Sequence, residues 1–121
     1  MHQGTDSTPE EGEAGALAVL ACSPRPTALL CMSDRLAEGA LRAARHLGLH
    51  VPADLSVMGF DDAVPTAEAF GLTTVHQPHR AKGEKAGAAI LALLAGTHPT
   101  DQLLPTKLLV RATTGPAPTR S

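Results

Sequence analysis

The spacing of apolar positions changes repeatedly along this 121-residue chain, and each change predicts an element. Ala14, Leu17, Ala18 and Ala21 recur at helical intervals and form one apolar stripe. "TPEE", residues 8 to 11, opens that helix: Thr8 can cap it, Pro9 suits its first position and Glu11 lies three residues after the cap. The prolines of "SPRP", residues 23 to 26, end it, because they remove donors and bias the preceding residue away from helix. "TALLCM", residues 27 to 32, is apolar without alternation, which predicts a strand buried on both faces with Met32 inside it. "SDRLAEGALRAARHLG" returns to helical spacing. Leu36, Ala37, Ala40, Leu41, Ala44 and Leu47 face inward, Ser33 or Asp34 supplies the cap and Gly48 the stop. "LSVMGF", residues 55 to 60, is a second strand of the buried type, with Met58 in the core.

Strand, helix, strand in that order is a right-handed βαβ unit with parallel strands. Residues 63–71 read as a loop or a short irregular helix, and "LTTV" as a short strand. A third helix spans residues 80–95, with Ala86, Ala89, Ile90, Leu93 and Leu94 on one face and Gly96 as its end. "LLPTKLLVRAT" supplies a last strand. The order α, β, α, β, β, α, β predicts an α/β fold: a small, mostly parallel open sheet flanked by helices. A disordered head, residues 1–7, and a tail, residues 116–121, frame one domain over residues 8–115.

Composition narrows the picture. A chain of this size buries roughly 60–70% of the surface its unfolded form exposes. Trp and Tyr are absent and Phe60 and Phe70 are the only aromatics, so alanine, leucine, glycine and valine must do the packing. The net charge of −2, with no basic stripe, leaves no electrostatic footprint for nucleic acid. The polar, acidic start is not a signal peptide and no apolar run approaches membrane length, so a cytoplasmic protein without membrane contact is expected. Cys22 and Cys31 are expected to be buried, reduced thiols.

Two strands end in polar groups: Ser33, Asp34 and Arg35 follow one, Asp61 and Asp62 the other. In an open parallel sheet, ligands bind beyond such carboxyl ends, and adjacent strands would set the two clusters side by side. Ionised carboxylates only accept hydrogen bonds, so they suit ligands that present hydroxyl or amide donors. Residue types leave four readings of Asp61 and Asp62 open. They are turn chemistry, a magnesium or phosphoacceptor site joined by Asp34, a two-metal hydrolase, and a sugar or nucleoside clamp. Against the second, Lys107 precedes its strand, so no lysine follows a strand end. His76 and His79 lack the further ligands zinc requires and read as solvated loop residues. His46 and His50 flank the negative end of the second helix. Ser33 has no G-x-S-x-G elbow or placed base. No phosphate-loop motif, metal set or cofactor site is present, and no catalytic residue is expected.

The set "PTALLCMSD", "AEGALRAARHLGLHVPADLSVMGFDD", "LTTVHQP" and "LLPTKLLVRATT", in this order and spacing, resembles the C-terminal part of LacI/GalR-type transcription regulators. The resemblance covers roughly residues 8 to 115. It implies half of a type I periplasmic-binding-protein-like fold and a non-enzymatic role: sensing a sugar-like effector and forming a homodimer. Effector binding in that family shifts affinity for DNA, which couples two sites through two states. Carried over by position, Asp61 accepts hydrogen bonds from the effector, Ser33 and Gln77 also reach it, and Arg35 lies near the cleft. Asp34 and Asp62 fit better as helix cap and turn former. The helix Arg35–Leu47 and the loop Ala63–Phe70 lie where the family forms its dimer.

The match lacks the helix-turn-helix and most of the first lobe. DNA contact is therefore expected only through an absent N-terminal domain, and a one-sided cleft should hold sugar poorly. Helix 80–95 would belong to that first lobe, so its apolar stripe is expected to pack back on its own domain or on a second chain, by domain swapping. Two alternatives stand beside this reading: a free-standing sugar-binding or decoy subunit that pairs with full-length relatives, and a magnesium-dependent enzyme or phosphoreceiver.

Overall fold

A computed structural model describes residues 7–62 and 65–119. Most of the expected head (residues 1–6), the first two positions of the expected dimer loop (Ala63 and Val64) and the last two of the tail lie outside the described residues. The elements follow the predicted order. They are α1 (Pro9–Leu20), β1 (Ala28–Leu30), α2 (Asp34–His46), β2 (Ser56–Met58), α3 (Pro65–Ala69), β3 (Thr74–His76), α4 (His79–Leu94) and β4 (Lys107–Leu109).

β1 and β2 pair in parallel, with Leu29 opposite Val57. β3 and β4 pair antiparallel, with Val75 opposite Leu108. Parallel bridges Met58–Thr73 and Asp61–His76 lay β3 alongside β2 and its C-terminal extension. The last segment crosses the same region: the Thr113 carbonyl accepts from the Val57 N–H at 2.8 Å and the Thr113 hydroxyl donates to the Val57 carbonyl at 2.7 Å. The core gathers Ala16 and Leu20 of α1, Ala37, Ala40, Ala43 and Ala44 of α2, and Leu55, Val57, Ala67 and Leu72.

Helix α1 begins as expected. Thr8 is its cap, with Oγ1 accepting the Glu11 N–H at 3.2 Å, and Pro9 holds the first turn. Its buried face differs: Pro9, Gly12, Ala16 and Leu20 turn inward, while Ala14, Leu17, Ala18 and Ala21 are exposed. The reason is backbone contact between α1 and α2. A Cβ on Gly12 would collide with the Leu36 carbonyl, and one on Gly39 with the Pro9 carbonyl. Glycine acts here as packing surface, a role no apolar count registers.

Among the described residues, β1 is covered on one face, not two. Leu29 and Cys31 pack toward the core, whereas Leu30 and Met32, on the alternate face, are 71% and 79% exposed. Among the described residues β1 has one strand neighbour, β2, and Met32 is not a core residue. Cys22 is also exposed, because it follows the end of α1, while burial pushes the half-buried Cys31 thiol up to about 11.

Among the described residues, helix α4 does not pack back on the core of its own domain. None of its residues is buried: Ile90, Leu91, Leu93 and Leu94 are each more than half exposed. It enters from β3 and returns through β4, outside the core cluster. Its end is closed locally, with the Thr97 hydroxyl donating to the Ala92 carbonyl at 2.8 Å.

Candidate functional site

The start of α2, the exit of β2 and the first residue of β3 converge on one carboxylate. Asp34 is 3% exposed. Its Oδ1 accepts from the Thr74 hydroxyl at 2.6 Å and its Oδ2 accepts the Asp62 N–H at 2.8 Å. Its own N–H donates to the Phe60 carbonyl at 2.9 Å. Gly59 makes this approach possible, since a Cβ there would overlap Asp34 Oδ1. Asp34 is therefore not the helix cap. That role belongs to Ser33, whose Oγ accepts the Leu36 N–H at 3.2 Å. The Asp34 side chain occupies the first turn but faces inward, where two donors wait.

Asp61 and Asp62 share an unusual backbone, with φ of 114° and 52°. Positive φ is uncommon outside glycine and tends to gather at functional sites. The ladder to β3 holds the Asp61 end of this turn: the Asp61 N–H donates to the Val75 carbonyl at 2.9 Å and the Gln77 N–H to the Asp61 carbonyl at 3.2 Å.

The two side chains then diverge. Asp62 is consumed by the protein. Its Oδ1 accepts from Arg111 Nη2 and its Oδ2 bonds His76 Nδ1, both at 3.0 Å. Burial would raise its carboxyl, but Arg111 and then His76 outweigh that and hold it below the ordinary range. Arg111 also donates from Nη1 to the Leu72 carbonyl at 3.0 Å. Asp61 makes one side-chain bond, accepting from Gln77 Nε2 on Oδ1 at 2.5 Å. Among the described residues its Oδ2 has no hydrogen-bond partner.

Of the four residues assigned by resemblance, the structure brings Asp61 and Gln77 into contact and sets Ser33 one residue from the carboxylate that bonds Asp62. Arg35 does not join them. It is exposed, and its charge helps hold down the Glu10 carboxyl on α1, behind Glu10's own backbone hydrogen bond and Arg42. His76 and His79 are exposed but tethered, His79 Nε2 lying 3.0 Å from the Asp61 carbonyl oxygen. Because β4 runs antiparallel, its first residue, Lys107, stands opposite His76. It is exposed, and among the described residues it bonds neither acid. Arg111, Thr74 and His76 carry no sequence signal that links them to the acids; Arg111 lies 49 residues away.

The periplasmic binding protein-like domain family matches residues 2–114. An HTH-type transcriptional regulator of Mycobacterium tuberculosis is 41% identical over 108 residues, which is 89% of this chain and 30% of that protein. Among solved structures, a dimeric Lac repressor with an 11-residue C-terminal deletion superimposes with a TM-score of 0.81 at 36% identity, over 93% of this chain and 42% of that one. The lactose repressor bound to the anti-inducer ONPF gives 0.80 at 36% identity, over 90% of this chain and 41% of that one. The chain thus spans about a third of the length of its curated relatives. It belongs to the periplasmic binding protein-like family, in the form found in LacI-type transcription regulators.

Proposed function

We propose that this chain is the effector-sensing and dimerisation portion of a LacI-type regulator, non-enzymatic and cytoplasmic, acting on DNA only together with a DNA-binding domain. One observation carries the reading: at a strand end, Asp61 presents a carboxylate oxygen without a hydrogen-bond partner among the described residues, while its neighbour Asp62 is fully engaged. A free acceptor at that edge suits the hydroxyl of a sugar-like effector. Gln77 orients the acid, and Ser33, whose oxygen serves the cap, keeps its O–H as a donor toward a ligand. Arg35 has weaker support, since its charge acts toward α1.

Dimerisation is supported by the groove between the end of α2 and Phe70, where Leu41, Leu49, Val51 and Phe70 line it together with Arg45 and His50. The open stripe of α4 is a second face that another chain can cover by exchange. Titration calorimetry of the 121-residue chain against a panel of mono- and disaccharides tests the effector role. Weak heats that vanish in Asp61→Ala are expected; binding that survives unchanged removes Asp61 from the site.

A further inference from the structure

We propose that Asp34 is a positioning residue for Asp61: its buried carboxylate fixes the positive-φ turn of residues 61–62 and so sets the Asp61 carboxylate against Gln77. This rests on the reading that Asp61 meets the effector. Among the described residues no hydrogen bond joins Asp34 to the Asp61 side chain or to Gln77. Asp34 acts through Asp62, whose N–H it accepts at 2.8 Å, while Thr74 locks the carboxylate from β3 at 2.6 Å. Arg111 and His76 pull the Asp62 side chain the other way, at 3.0 Å each. Backbone and side chain of Asp62 are thus both anchored, and the peptide between the two acids has one available orientation. Asp61 must then leave the turn toward Gln77. The arrangement gives two adjacent acids opposite duties: one is tied down so that the other stays open. A buried carboxylate that holds an N–H and a hydroxyl is a strong anchor, because losing it would leave two donors without partners in a dry site.

Chemistry separates the substitutions. Asparagine can keep both contacts by turning its carbonyl toward the Asp62 N–H and its amide toward the Thr74 oxygen, which can accept. Alanine can keep neither. The test is NMR on the labelled 121-residue chain, reading the φ-sensitive backbone couplings of Asp61 and Asp62 and the side-chain amide resonances of Gln77. In Asp34→Ala the Gln77 amide is expected to move to free-amide positions and the couplings to leave their positive-φ values, with both restored in Asp34→Asn. Thr8→Ala, which removes the α1 cap and lies outside the site, should leave these signals in place. Should Asp34→Ala fail to fold, Thr74→Val carries the test, since it removes the bond that locks the carboxylate in place and replaces no residue of the Asp61–Gln77 pair. Unchanged Gln77 resonances in either variant overturn the proposal. No ligand enters the measurement, so failure of the effector reading would be seen separately, by calorimetry.

Discussion

Arg111 Nη2 donates to Asp62 Oδ1 at 3.0 Å, joining residues 49 positions apart across the strand-end turn. The side chains are 24% and 17% exposed, sheltered enough for the pair to matter more than a surface bridge. Replacing Arg111 with Met leaves Asp62 with His76 alone and frees the Leu72 carbonyl. A loss of about 1.5–3 kcal/mol is expected, the scale of a hydrogen bond to a charged group. Urea unfolding of the two proteins measures it.

The same pair sets a pH dependence. The Asp62 carboxyl lies below its ordinary value in the folded chain, so its contribution to stability is full above the ordinary carboxylate range and is lost as pH falls through the lower, folded value. Melting temperatures of the wild type and Asp62→Asn should differ at neutral pH and converge in acid. A constant gap down through that range would show that the charge contributes nothing.

Gly39→Ala and Gly12→Ala should destabilise the chain although alanine favours helix by about 1 kcal/mol. The added methyl meets backbone, which cannot rotate away, in both directions of the α1–α2 contact. Overpacking of this kind costs about 1–3 kcal/mol. Gly83→Ala and Gly87→Ala in α4, where nothing lies within 4 Å, are the controls and should be neutral or stabilising. Chemical denaturation ranks all four.

Leu91→Glu and Leu94→Glu test the open face of α4. Both side chains are exposed within one chain, at 69% and 80%, so the fold should not notice them. Surface changes of this type stay within about 0.5 kcal/mol. Self-association, followed by sedimentation velocity over a concentration series, should weaken in both. Unaltered association would place the contact elsewhere, with the Phe70 groove the next surface to probe.

Ser33→Ala should lower stability by about 0.5–2 kcal/mol, the usual cost of losing a capping oxygen. Thermal unfolding by circular dichroism reads this directly.

Local chemistry accounts for what was legible from residue order. Thr8 before Pro9, prolines after Cys22 and glycines at 48 and 96 act on their own few residues, so the succession of helices and strands followed from them. The acids after Phe60 were visible as a strand-end pair for the same reason. What stayed hidden required contacts between distant segments. The buried face of α1 follows Gly12 and Gly39 because two backbones meet there, and hydrophobicity does not mark that. Leu30 and Met32 read as core, yet burial depends on a second layer over β1, which no run of apolar residues can announce. Asp34 sits where a cap is common, but Thr74 and the Asp62 N–H draw it inward. The division of labour between Asp61 and Asp62 is the clearest case. Their residue types are identical, and they differ because Arg111 and His76 reach one oxygen pair and Gln77 reaches a single oxygen of the other.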